Sequence, residues 1–164
     1  MTTADDEARE IRALHLLKAR YFRYMDTKQW ALWRDLFTDD MVFYMEDALL
    51  PTTTEPITSS GDDFVEYVSD LLTTAVTVHH GHMPEIEILS DRTAQGVWAM
   101  FDHVDDMAKG FAIKGAGHYH EQYARGDDGK WRIHELRLTR IRVDAVEPTS
   151  PAIAREWPPA WKRS

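Results

Sequence analysis

Apolar positions recur at three- and four-residue steps from Asp5 to about Met25, through Ile11, Leu14, Leu17 or Lys18, Tyr21 and Met25. That period lays one apolar stripe along a helix. Asp5, Asp6 and Glu7 supply the negative charge that a helix start favours. The pattern predicts a first helix there and a short second one over Trp30 to Phe37, ending in the polar turn Thr38-Asp39-Asp40. Met41 to Met45 is a short apolar run and reads as a strand. Leu50 to Ser60 holds two prolines, four threonines and two serines, and reads as a loop. Ser60 is placed to cap a third helix, with Asp62 and Asp63 in its first turn and Phe64, Val68, Leu71 and Leu72 on its apolar side.

After this helix the period changes to two. Val76 to Leu89, Thr93 to Val104, Phe111 to Arg125 and Trp131 to Val146 read as four long strands, with Gly126-Asp127-Asp128-Gly129 as a hairpin turn before the last. Helices first and consecutive strands afterwards predict an α+β fold with an antiparallel sheet. Residues 1–146 are expected to form one domain. The tail 147–164 holds four prolines and two tryptophans. It reads as irregular, docking on the pocket mouth or on a neighbouring subunit.

Composition narrows the function classes. The chain has 164 residues, a single-domain length, with 19 basic against 28 acidic side chains. A formal charge of −9 opposes nucleic-acid binding, and Lys162-Arg163 is too short a basic cluster to reverse that. Without cysteine there is no disulfide, thiolate nucleophile or cysteine metal site. The start MTTADDEARE lacks the basic and apolar segments of a signal peptide, and no apolar run reaches a membrane span, so a cytoplasmic protein is expected.

Candidate chemistry concentrates in the strands. Trp98, Met100, Asp102 and Val104 share one strand face. A carboxylate among apolar neighbours is paired or kept for its chemistry, unless the strand is already leaving the core there. Six of the eight histidines lie between positions 79 and 120: His79, His80, His82, His103, His118 and His120. His80 and His82 share one face, as do His118 and His120. A pocket with acid–base work accounts for the cluster, and surface histidines or a His-x-His metal site are its rivals. Glu121 follows His120 at once, unlike the spacing of the cupin metal motif, and no HExxH occurs. No metal or other cofactor is expected. Tyr21 and Asp26, at the end of the first helix, read on composition alone as core and cap.

The arrangement Tyr21-x4-Asp26, then Thr77-Val78-His79-His80-Gly81 opening the first long strand, resembles the SnoaL-like, nuclear-transport-factor-2-like superfamily. Its members include scytalone dehydratase, bile-acid 7α-dehydratase, hexachlorocyclohexane dehydrochlorinase and polyketide cyclases. The resemblance covers roughly residues 8–146. It implies a cone-shaped, cystatin-like curved sheet with N-terminal helices closing a pocket. The family's dyad aspartate and histidine fall on Asp26 and His79, with His80 the alternative after a one-residue slip. The tyrosine and second aspartate of the bile-acid enzyme fall on Tyr21 and Asp102. The family separation is exceeded by a few residues, which the Leu50–Ser60 loop can absorb. The dehydrochlorinase also has a pocket arginine on its last strand, yet no arginine falls on it cleanly in Trp131-Arg-Ile-His-Glu-Leu.

What the resemblance implies is a cofactor-independent lyase, dehydratase-like, with isomerase or cyclase chemistry open to the same dyad. Asp26, His79, Tyr21 and Asp102 would carry it. Tyr24, His80, Trp98, Met100, His118, His120 and Tyr123 would line the pocket, with Phe101 adding to its apolar character. The substrate would be a small apolar or cyclic molecule, and the protein a homodimer or homotrimer. The alternatives are a non-catalytic binding or interaction domain of the same fold and a histidine-ligated metalloenzyme.

Overall fold

The computed structural model describes residues 4–46 and 55–149. The elements are α1 (Ala4–Asp26), α2 (Trp30–Arg34), β1 (Phe37–Glu46), α3 (Gly61–Leu72), β2 (Val76–Ile88), β3 (Thr93–Asp106), β4 (Phe111–Arg125) and β5 (Trp131–Val146). The α+β order follows the switch of hydrophobic period. α1 buries Leu14, Leu17, Lys18, Tyr21, Tyr24 and Met25 on one side. In α3 the Ser60 hydroxyl accepts the Asp63 N–H at 3.0 Å, and Phe64, Val68 and Leu72 face inward.

The five strands form one curled, unclosed sheet in the order β1-β5-β4-β3-β2. Pairing is antiparallel throughout β2 to β5, whereas β1 runs parallel to β5. The second helix is shorter than its pattern predicts. It stops at Arg34, and Thr38-Asp39-Asp40 opens β1 instead of forming a turn. The cause is the pull of the sheet edge: Leu36 C=O accepts the Ile133 N–H at 2.9 Å, Phe37 is buried against the core, and a register shift after Phe37 accommodates the polar residues. The expected turn at Gly126–Gly129 forms, with Gly129 at φ +74°.

The core lies between the inner face of the sheet and the three helices. Trp33 packs on Phe37 at 4.9 Å and Phe64 at 5.1 Å between ring centroids, and Phe43 meets Phe64 at 4.7 Å. Such aromatic pairs add about 0.5–1.5 kcal/mol each beyond area burial. This cluster ties α2, α3 and β1 together and leaves the α1 end and β2–β5 to carry polar groups. Of the tail, only residues 147–149 are described, with Thr149 N–H donating to Asp105 at 3.0 Å. The expected docking of its tryptophans lies outside the described residues.

Candidate functional site

Asp26 is the last residue of α1, and its carboxylate meets the start of β2 from above. Alternation along β2 turns Thr77 and His79 inward. The Thr77 hydroxyl donates to Asp26 Oδ1 at 2.9 Å, the His79 backbone N–H donates to Oδ2 at 2.9 Å, and His79 Nδ1 lies 2.6 Å from Oδ1. An acceptor-only carboxylate assigns the proton to Nδ1 and leaves Nε2 with its lone pair directed elsewhere. The Phe22 ring runs parallel to the imidazole, with 6.4 Å between centroids. His79 is buried, while the neighbouring His80 is exposed.

Nε2 of His79 faces Asp102, directly opposite on β3, at 4.0 Å from Oδ2. That is beyond a hydrogen bond, yet an atom placed between them can lie about 2.8 Å from both. Asp102 is 1% exposed and would be costly to bury alone. Arg140 on β5 meets it with a two-pronged contact, Nη1 to Oδ1 at 3.0 Å and Nη2 to Oδ2 at 2.6 Å. The guanidinium reaches Asp102 by crossing over Gly115 of β4, where a Cβ would lie 1.8 Å from Arg140 Nη1.

A second polar network adjoins this one. The buried Lys18 ammonium pairs with the buried Glu121 carboxylate and rests on the Tyr119 ring at 3.7 Å and the Tyr21 ring at 4.0 Å. Glu121 also accepts from the Tyr123 hydroxyl at 2.5 Å, which in turn accepts from Trp98 Nε1 at 2.8 Å. Burial lowers the Lys18 pKa to about 8, against the opposing pull of Glu121. Burial first pushes the Tyr21, Tyr119 and Tyr123 hydroxyls above their ordinary range, helped by Tyr119 and Glu121 at Tyr21, by Asp102 at Tyr119 and by Glu121 at Tyr123, so all three stay protonated donors. Tyr21 and Tyr119 share a hydrogen bond.

Residues 6–137 match the SnoaL-like domain family. The chain belongs to that family. Similar solved structures include a candidate scytalone dehydratase from Novosphingobium aromaticivorans DSM 12444, with TM-score 0.77 and 16% identity over 94% of this chain and 100% of that one. Another is a hexachlorocyclohexane dehydrochlorinase from Novosphingobium barchaimii LL02, with TM-score 0.73 and 17% identity over 92% and 100%. A third is a protein of unknown function from Mycobacterium tuberculosis, with TM-score 0.71 and 24% identity over 87% and 78%. At these identities the likeness is one of fold.

Within this SnoaL-like domain the expected pocket residues separate. Tyr21, Asp26, His79, Trp98, Met100, Asp102 and Tyr123 all lie on the inner side, Met100 between Trp98 and Asp102 on β3. A groove of about 510 Å³ between α1 and β2 is lined by Phe22, His79, His80, His82 and Trp98. Tyr24 instead lines a different groove, of about 590 Å³, beside Trp131. His118 and His120 alternate with the buried Gly117, Tyr119 and Glu121, so they occupy the outer face, where His120 Nε2 contacts Thr139 Oγ1 at 3.2 Å. Phe101, 42% exposed, is outside too. Among the described residues no three His, Asp or Glu side chains converge to hold a metal ion, and no helix is long and apolar enough to cross a membrane.

Sequence reasoning missed Arg140, Tyr119 and the Lys18–Glu121 pair. The arginine sought near Trp131–Leu136 sits further along β5. A bulge opposite Gln122/Tyr123 flips the strand's parity after Ile133, so Leu136, Leu138 and Arg140 face inward. The signal for Lys18 was present, since it falls on the apolar stripe of α1.

Proposed function

We propose that this SnoaL-like domain is a dehydratase-type lyase in which His79 is the base and Asp26 its orienting partner. The observation that supports the reading is His79 itself, gripped at Nδ1 by Asp26, with Nε2 4.0 Å from Asp102 and the ring lining the groove between α1 and β2. In the reaction, Nε2 takes a proton from a carbon adjacent to the one bearing a hydroxyl. The C–H electron pair becomes the new C=C bond, the C–O bond breaks, and the departing hydroxyl leaves as water with a proton returned by the imidazolium. Asp26 and Asp102, on opposite sides of the ring, stabilise that imidazolium. Asp102, oriented by Arg140, accepts a hydrogen bond from a substrate hydroxyl. Tyr21 acts through Tyr119, whose hydroxyl is the donor for a substrate oxygen.

The inner face mixes these groups with Trp98, Met100 and Phe22, which suits a small apolar or cyclic molecule carrying a few oxygens. Isomerisation or cyclisation uses the same proton abstraction. Self-association belongs to this reading, because Val78, Phe101 and Ile141 lie exposed on the outer sheet face. The test incubates the protein in D₂O with a panel of cyclic β-hydroxyketones and follows water loss and carbon-bound deuterium by NMR. His79→Ala is expected to remain folded and lose about 10²–10⁴-fold of the rate. Near-wild-type turnover in folded His79→Ala would overturn the assignment. A ligand that binds tightly and returns unchanged and undeuterated would instead favour a binding protein.

A further inference from the structure

Helix α1 closes with a Schellman turn: Gln29 N–H donates to Tyr24 C=O at 2.8 Å and Lys28 N–H to Met25 C=O at 3.1 Å. The closing residue must take left-handed backbone, and Lys28 does so at φ +58°. Glycine adopts that conformation without strain, whereas a residue with a Cβ does not. The chain therefore carries a lysine where glycine would fold more easily. A local rule broken without a gain in stability points to what the side chain does.

The Lys28 side chain turns back over the start of β2. Its Nζ donates to Thr77 Oγ1 at 3.1 Å and lies 5.6 Å from the centre of the Trp30 ring. Having accepted that bond, Thr77 turns its own proton to Asp26 Oδ1 at 2.9 Å, the same oxygen that holds His79 Nδ1 at 2.6 Å. The charged groups acting on Lys28 are Asp26 from α1 and Asp106 from the end of β3. Asp106 is itself engaged by Thr74 Oγ1 at 2.7 Å and Lys109 N–H at 3.0 Å, with Lys109 Nζ at 3.7 Å. His79 sees Asp26 and Asp102 on its two nitrogens and Phe22 across its face.

We propose that Lys28 is a positioning residue that sets the basicity of His79 through Thr77 and Asp26, its cation holding the threonine hydroxyl toward the carboxylate. This rests on the reading of His79 as the base. The fixed Thr77 hydroxyl draws negative charge off Asp26, which weakens the carboxylate's hold on a proton at His79. Burial lowers the Lys28 pKa to about 8, against the pull of Asp26 and Asp106, so the grip is released just above neutral pH.

The test is an NMR titration of the full chain with ¹³C-labelled histidine, the His79 resonance being assigned by its loss in His79→Gln. In the wild-type protein the His79 signal is expected to show its main titration and a second, smaller inflection near pH 8, reporting Lys28. In Lys28→Met the main midpoint moves up and the second inflection disappears. Lys28→Arg keeps the charge without titrating, so it holds the main midpoint and removes the inflection. Thr77→Val moves the midpoint upward with the lysine in place. Lys28→Gly reproduces the Lys28→Met curve while its thermal midpoint stays at or above wild type, which separates loss of the side chain from damage to the fold. An unchanged His79 curve in Lys28→Met and Lys28→Gly, or an inflection that survives them, overturns the proposal. The titration needs no substrate. A flat result removes the coupling and leaves the His79 assignment standing, whereas turnover in His79→Ala removes the assignment and leaves the coupling.

Discussion

Replacing Gly115 with alanine perturbs the Asp102–Arg140 pair without touching either partner. Gly115 is paired with Asp102 across β3 and with Val143 across β5. Its backbone is not left-handed, so an alanine there is unstrained and would by itself stabilise the strand by about 0.5–1 kcal/mol. The new methyl, however, would stand 1.8 Å from Arg140 Nη1, 2.4 Å from Asp102 Oδ1 and 3.0 Å from Arg140 Cζ. Reaching an ordinary contact of 3.4 Å moves the guanidinium by about 1.6 Å. Bonds of 3.0 and 2.6 Å do not both survive that displacement. Loss of one charge-assisted bond at a carboxylate 1% exposed costs about 1.5–3 kcal/mol, so the net destabilisation is about 1–2 kcal/mol. For a chain of this length that lowers the thermal midpoint by about 2–8 °C. In an Arg140→Met background the same alanine meets no guanidinium and is left with only the Asp102 Oδ1 contact, so its cost shrinks, a difference read by a double-mutant cycle. A Gly115→Ala protein more stable than wild type, with no coupling to Arg140, would show that the pair does not cross that glycine.

Two further outcomes follow from buried charges. Burial alone would raise the Asp106 pKa, but donation from the Thr74 hydroxyl and the Lys109 N–H outweighs it and holds the group below its usual range. A depressed carboxylate stabilises the fold above its unfolded pKa of about 3.9 and loses that contribution as pH falls through the folded value. Asp106→Asn should therefore weaken the protein at about pH 6 and differ little from it at about pH 2, as urea midpoints will show; an equal deficit at both pH values contradicts the sign. Lys18→Met leaves the fully buried Glu121 with its Tyr123 bond and no cation, and is expected to lose about 3–5 kcal/mol, most of it recovered by adding Glu121→Leu. A single-mutant loss below about 1 kcal/mol in urea unfolding would mean the pair is not buried as described.

The elements legible in the sequence are those set by short-range periodicity. β4 and β5 run between the residues their alternation predicts, and α3 starts at the serine that caps it. What failed was pairing information. The parallel β1–β5 contact joins segments far apart in sequence, and no local pattern encodes that β1 begins at Phe37 rather than Met41. Placement within the site followed the same division. Asp102 faces inward because β3 is regular, and the resemblance of Tyr21-x4-Asp26 and the His79 segment to SnoaL-like proteins located the two ends of a 2.6 Å contact between α1 and β2. The pair His118 and His120 had the right spacing but the wrong parity, since it takes Tyr119 or Gly117 to show which face is buried.

Arg140 marks the limit of parity reasoning, and it also explains why the inner face can hold so much charge. Counting by twos from Trp131 and Ile133 sends residue 140 outward; the bulge in β5 sends it inward, and on β4 Gly117 admits the β5 backbone while Gly115 leaves room for the guanidinium. Three acids around the candidate site each have a cation: Asp102 has Arg140, Glu121 has Lys18, and Asp26 has Lys28 through Thr77. A chain of net charge −9 can bury three carboxylates in one layer only if they are matched in this way. The matching is uneven. Asp102 and Glu121 are held by direct ion pairs, which fix them, while Asp26 is reached through a hydroxyl and a titrating lysine. In the proposed reading the group left adjustable is the one that governs the base, so the least secured of the three ion contacts is the one where chemistry is expected.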